Sequence, residues 1–174
     1  MAAANNVSVQ SIIVMGVSGS GKTTLAEGIA RRLGWMYAEG DDFHPAANVA
    51  KMRAGIPLTD EDRWPWLRQI GEWITQQEKS GRSAVITCSA LKRSYRDLLR
   101  ENRPGVRFLY LDVPREVLAQ RLAERKGHYM PASLLDSQLD TLEALQPDEP
   151  GVVVRAHGSP EDALNDALAA LGLD

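Results

Sequence analysis

Residues 16–23 read Gly16-Val17-Ser18-Gly19-Ser20-Gly21-Lys22-Thr23, between an apolar run, Ser11–Met15, and a stretch of helical periodicity, Lys22–Leu33. The spacing G-x-x-x-x-G-K-[ST] between a strand and a helix is the phosphate-binding loop in the context that gives it meaning. Its glycines let the backbone fold around phosphate oxygens with N–H groups turned inward. The helix that follows adds the positive end of its dipole. Lys22 supplies a point charge for the β- and γ-phosphates, Thr23 a hydroxyl for Mg²⁺, and Thr24 completes the expected nucleotide-binding set. The motif says that the chain binds a nucleoside triphosphate and leaves open what receives the phosphate.

The chain has 174 residues, which suits a single domain, 1–174, with one sizeable core. A net charge of −3 argues against a nucleic-acid partner, which would favour a basic excess. Cys88 is the only cysteine, so no internal disulfide can form, as suits a reducing cytoplasm. Residues Met1–Gln10 contain no basic residue and no long apolar stretch, so no secretory signal is expected, and no run approaches a membrane span.

Apolar runs alternate with helical patterns along the whole chain. Strands are expected at Ser11–Met15, Trp35–Ala38, Ala84–Cys88, Phe108–Leu111 and Val152–Arg155. Helices are expected at Lys22–Leu33, from Thr59 to about Gln77, and at Ser94–Glu101, Glu116–Glu124, Ser133–Leu145 and from Ser159 onward. Thr59 and Ser159 each precede an acid by three residues and read as helix caps, and Pro160 suits a first turn. Such alternation implies an α/β fold, a five-stranded parallel sheet with helices on both faces. Ligands of such sheets bind at the carboxyl ends of the strands.

Several chemically capable residues fall at those ends. Asp41 and Asp42 follow the second strand; a carboxylate there can take the proton of an attacking hydroxyl or hold Mg²⁺, directly or through water. Because the third strand has no acid at its end, Asp41 is assigned both roles. His44 either donates to substrate or packs against Pro45. Lys51, Arg63, Ser89, Lys92 and Arg96 cluster where an acceptor would lie, and an anionic acceptor would explain that cluster in an acidic chain. Arg53 and Arg93 read as solvated surface. Arg121 and Arg125 share a helix face, with Lys126-Gly127-His128 as a hinge, in the manner of a lid (about 121–135) that closes over a triphosphate and excludes water. The segment 41–75 reads as substrate-binding. Cys88 reads as a core residue, Trp66 as the tryptophan with a potential site role, and His157-Gly158-Ser159 as an edge of the adenine pocket.

With those residues in view, the chain resembles the gluconokinases of the thermoresistant bacterial type. The resemblance rests on Met15–Thr23, Gly40-Asp41 with His44-Pro45, Asn48, Lys51-Met52, Gly55, Pro57-Leu58 and Asp62-Arg63 with Pro65-Trp66-Leu67. It continues through Cys88-Ser89-Ala90-Leu91-Lys92, Tyr95-Arg96-Asp97, Arg125-Lys126-Gly127-His128, and Gln138 with Thr141-Leu142-Glu143. It implies phosphorylation of D-gluconate by ATP with Mg²⁺, in the cytoplasm, by what is commonly a homodimer, on a fold similar to shikimate and nucleoside monophosphate kinases. It adds His128 and Gln138 to the substrate-binding set of Asp41, His44, Lys51, Arg63, Ser89, Lys92 and Arg96. It also favours Asp41 over Asp42, because family members often carry an apolar residue at the latter position. The catalytic set is then Lys22, Asp41, Arg121 and Arg125. Two alternatives remain at this stage: a kinase of the same fold acting on shikimate or a nucleoside monophosphate, and a nucleotide-binding switch without catalysis.

Overall fold

The central strand β1 (Ser11–Met15) is buried at every position. Successive side chains of a strand point to opposite faces, so both faces of the sheet are covered there. The same holds for β3 (Ala84–Thr87). With β2 (Met36–Glu39), β4 (Val106–Asp112) and β5 (Gly151–Arg155), these strands form a five-stranded sheet in the order β2-β3-β1-β4-β5. Every neighbouring pair is parallel. This computed structural model describes residues 9–124 and 132–173; Arg125 and His128, with the expected hinge, lie outside them.

Helix α1 (Lys22–Leu33) turns Leu25, Ala26, Ile29 and Ala30 into the core and ends on Gly34 in the left-handed conformation that glycine adopts without strain. It packs on β3 and on α7 (Pro160–Leu171). Helix α3 (Asp60–Lys79) buries Trp66, Leu67, Ile70 and Ile74 and packs on α4 (Arg93–Arg100). Both expected caps form complete capping boxes: Thr59 with Asp62, and Ser159 with Asp162. Helices α5 (Arg115–Glu124) and α6 (Ala132–Thr141) flank the undescribed segment. Helix α6 stops at Thr141, four residues short of its expected end.

One helix was not anticipated. Helix α2 (Ala46–Arg53) has only Asn48 buried, so it carries no apolar stripe for a periodicity argument to detect. Pro45 starts it, and a short 3-10 turn, Gly40–Phe43, joins it to β2.

Two arginines tie α4 to the loop before β5. Arg96 is wholly buried and forms a two-point pair with Glu149, Nε to Oε1 at 2.6 Å and Nη2 to Oε2 at 3.0 Å. Its remaining donors reach the carbonyls of Ala90, Leu91 and Ala144. Arg93, expected at the surface, grips Asp97 and Asp148 there. The expectation that Arg96 contacts substrate is therefore corrected: its guanidinium is consumed inside the protein.

Removing one member of a buried pair leaves a desolvated charge, which costs about 3–5 kcal/mol. Glu149→Gln is thus expected to lower stability by roughly 3 kcal/mol in urea unfolding, while the KM for the acceptor changes little. At the end of β2, a Cβ on Gly40 would lie 1.9 Å from the Thr87 carbonyl oxygen, whereas one on Gly34 would meet nothing within 4 Å. Gly34→Ala should cost only about 1–2 kcal/mol for its left-handed backbone. Gly40→Ala should cost clearly more in the same measurement, because rigid backbone must move.

Candidate active site

Parallel pairing sets the chemistry at one end of the sheet. Glu39 of β2 is in register with Thr87 of β3, which in turn pairs with Val14 just before the phosphate loop. The loop is anchored there by the Gly16 N–H donating to the Ser89 carbonyl at 3.3 Å, so Ser89 contributes through its backbone. Gly16, Gly19 and Gly21 all have positive φ. At Gly16 a Cβ would also crowd the Leu111 carbonyl at 3.1 Å. Lys22 Nζ donates to the Val17 carbonyl at 3.0 Å, curling back over the loop. From α5, Arg121 reaches the carbonyls of Gly19 and Ser20 at 3.0 and 3.1 Å.

The carboxylate that organises this end is Glu39, which the sequence reading did not single out. Oε1 accepts from the Thr87 hydroxyl at 2.6 Å, and Oε2 accepts from Tyr37 at 2.6 Å and Thr23 at 2.7 Å. Burial alone would raise its pKa, but the donors Thr87, Tyr37 and Thr23, together with the Lys22 charge, hold it below the usual carboxylate value. The available signal was its position as the first residue after the expected second strand, Trp35–Ala38.

Asp41 sits in the 3-10 turn. Water reaches three-quarters of its side chain. Desolvation by the surrounding protein nonetheless raises its pKa; Lys22 opposes that, and the Glu39 and Asp42 charges add to it. His44 is almost fully buried, with Nε2 at 3.9 Å from Asp41 Oδ1. Its ring stacks on Trp66 at 4.0 Å and 15°, and Trp66 Nε1 donates to the Gly40 carbonyl at 2.8 Å. Trp66 thus holds the turn that carries Asp41. Burial, with Arg63 adding to it, pushes the His44 pKa down to about 4, so the ring is neutral at pH 7.

The basic cluster is brought together on the acceptor side, already paired with acids of the first turn of α3. Lys51 Nζ lies 2.7 Å from Asp62, and Lys92 Nζ lies 3.1 Å from Asp60. Arg63 donates to the Leu58 carbonyl and to the Tyr95 hydroxyl, and Tyr95 donates to Asp60. Gln138 is not among them. Its Oε1 accepts from Ser18 N at 2.7 Å and its Nε2 donates to Ser18 Oγ at 3.1 Å, so α6 braces the phosphate loop, a correction to the acceptor role expected of it. Cys88 is buried with its thiol pKa pushed up to about 12, which leaves it a core residue.

Beside the loop opens a cavity of about 590 Å³, lined by Gly19–Gly21, Thr24, Val117, Arg121, Glu124 and the segment Ala156–Pro160. His157, Gly158 and Ser159 therefore do border the space beside the phosphate loop. Among the described residues no cluster of three or more His, Cys, Asp or Glu side chains could hold a metal by itself. That suits Mg²⁺, which keeps several waters and takes few protein ligands beside substrate phosphates. The Thr23 hydroxyl proton is engaged by Glu39, which leaves the Thr23 oxygen lone pairs as ligands.

A phosphate loop at the end of a parallel sheet, a nucleoside-sized cavity on one side and a carboxylate with a basic cluster on the other define a P-loop small-molecule kinase. The chain matches the family described as AAA domain over residues 12–145. A gluconokinase from Gluconobacter oxydans is 52% identical over 157 residues, covering 90% of this chain and 88% of that protein. The solved structure of a gluconokinase from Sinorhizobium meliloti 1021 superposes with a TM-score of 0.85 at 49% identity, covering 94% of this chain and 91% of that one. Shikimate kinase from Bacteroides thetaiotaomicron, 16% identical with a TM-score of 0.64, covers 95% of this chain and 100% of its own and shares the fold. The chain belongs to the gluconokinase family.

Acid should reveal the buried histidine. Its folded-state pKa of about 4 lies below the ordinary 6.5, so between these values the unfolded chain binds a proton that the folded chain does not. The contribution of His44 is thus complete above about pH 6.5 and falls as the pH drops toward 4, by at most about 3 kcal/mol. Thermal unfolding of the wild type between pH 7 and 4.5 should therefore show a decline that is smaller in His44→Gln.

Proposed function

We propose that the protein transfers the γ-phosphate of ATP to the 6-hydroxyl of D-gluconate, giving 6-phospho-D-gluconate and ADP. The observation that carries this reading is the pairing of a nucleoside cavity with Asp41, His44, Arg63 and Lys92 across the same phosphate loop. The 52% identity to the Gluconobacter oxydans gluconokinase supports gluconate as the acceptor.

The backbone N–H groups of Gly16–Thr23 cradle the triphosphate, and Lys22 neutralises its β- and γ-oxygens. Thr23 and Glu39, the latter in place of Asp41, would hold Mg²⁺, which when bound neutralises charge between the β- and γ-phosphates. The Arg63 and Lys92 side chains bind the acceptor carboxylate and hydroxyls, and Lys51 borders that surface. Asp41 accepts the proton of the 6-hydroxyl as its oxygen bonds to the γ-phosphorus; the bond from that phosphorus to the β–γ bridging oxygen breaks, and ADP leaves with the electron pair. Arg121, which reaches the phosphate-loop carbonyls of Gly19 and Ser20, neutralises charge on the transferring phosphoryl. The transition state is loose, so orientation and charge carry most of the acceleration. A cytoplasmic homodimer fits this reading. No helix among the described residues is long and apolar enough to cross a membrane.

A coupled assay tests the assignment. ADP release with Mg·ATP should require D-gluconate, and the product should be oxidised by 6-phosphogluconate dehydrogenase. Stimulation by shikimate or a nucleoside monophosphate instead would overturn gluconate as acceptor. Asp41→Asn is expected to lower kcat by roughly 10²–10⁴-fold while ATP affinity stays within a few-fold. Lys22→Ala should lower turnover by about 10²-fold or more. Near-normal turnover in Asp41→Asn would remove the proton-accepting role.

A further inference from the structure

Asn48 is 3% exposed, and nothing in the proposed reaction uses it. Its amide nitrogen makes two hydrogen bonds: to the Asp62 carbonyl oxygen at 2.9 Å and to His44 Nδ1 at 3.2 Å. A backbone carbonyl can only accept, so it fixes which end of the amide carries the protons. The second amide proton then points at Nδ1, which must accept with its lone pair. A neutral imidazole whose Nδ1 accepts carries its own proton on Nε2. That nitrogen is the one facing Asp41, 3.9 Å from Oδ1. The stack on Trp66 holds the plane of the ring, and a half-turn back into that plane would put Cδ2 in place of Nδ1 and lose the bond to Asn48.

We propose that Asn48 is a positioning residue that locks His44 as the Nε2–H tautomer, so that His44 is a permanent hydrogen-bond donor toward the acceptor hydroxyl and never its base. The proposal rests on the kinase reading given above. A separation of 3.9 Å is too long for a direct hydrogen bond between His44 and Asp41. An oxygen about 2.8 Å from each would bridge the two. A hydroxyl seated there donates its proton to Asp41 and accepts from His44 Nε2–H, and its remaining lone pair is left for phosphorus. Asp41 and His44 thereby divide the labour: one removes the proton, and the other sets where the oxygen sits. A phosphate or carboxylate oxygen could accept from His44 but could not donate to an ionised Asp41, so the pair selects for a hydroxyl.

The tautomer can be read without turnover. Long-range ¹H–¹⁵N correlation spectra of the substrate-free protein at pH 7 contain only three histidines, His44, His128 and His157, and the His44 signals are those missing in His44→Gln. The expected pattern is a protonated Nε2 and an unprotonated Nδ1; a protonated Nδ1, or averaging between the two forms, overturns the proposal. Asn48→Asp presents an acceptor in place of the donor and should move the proton to Nδ1. It should also lower kcat by about 10–100-fold, the worth of one hydrogen bond to a charged or reacting group, with the KM for ATP unchanged. Should that variant fold poorly, two substitutions at His44 itself decide. Glutamine places an amide N–H near the Nε2 position and should keep kcat within about tenfold, whereas His44→Asn cannot reach and should lose about 100-fold. Equal losses in both overturn the donor role. A protein that ignores gluconate yet shows the Nε2–H tautomer would overturn the acceptor assignment and support the tautomer.

Discussion

Glu39 gathers hydroxyl protons from its own strand, from the neighbouring strand and from the first turn of α1, and the active end of the molecule depends on that convergence. An ionised carboxylate has no proton to give, so every group around it must be a donor. Thr87 meets this demand by donating to Glu39, and its hydroxyl oxygen also accepts from the Gly40 N–H at 3.0 Å. The strand ends are thereby joined to the phosphate loop by short, charge-assisted bonds, which also orient the Thr23 oxygen. The close approach of Gly40 to the Thr87 carbonyl is part of the same junction, since only a residue without a side chain lets β2 turn there.

Beyond that junction the two sides of the phosphate loop are two kinds of surface, to which the proposed reaction assigns its two substrates. The nucleotide side is a cavity walled largely by backbone and small side chains, with Arg121 spanning toward the loop. The acceptor side is a lattice of acids and bases in which Lys51 and Lys92 are held by the same acids, Asp62 and Asp60, that begin α3. Asp62 does so while closing the capping box with Thr59, and its pKa falls to about 2, chiefly through Lys51 and then the Thr59 N–H. The helix start and the substrate surface are therefore one structure. On the proposed reading, an anionic acceptor at Lys92 exchanges one carboxylate partner for another, which favours selectivity over raw attraction.

The legible parts of the fold were those written in local pattern. All five strands and both capping boxes stand where apolar runs and cap spacing put them, because a buried parallel strand is a short continuous apolar run and a capping box is a contact over three residues. Helix α2 escaped because its one buried residue is the polar Asn48. Arg96 was misjudged because its partner Glu149 lies 53 residues away in a loop, and Gln138 because Ser18 lies 120 residues away. Neither separation leaves a trace in spacing.

By itself, then, the sequence determined the phosphate loop, the alternation that makes the sheet parallel, and the set of strand ends where chemistry had to occur, since each follows from contacts between near neighbours or from a period. Tertiary structure alone decided which charged residues face the cleft and which are spent inside. It also decided that Glu39 joins Thr23 and that Asn48 sets the proton of His44. Those assignments depend on partners brought together by strand register and helix packing, and a buried polar group is defined by the partner that satisfies it.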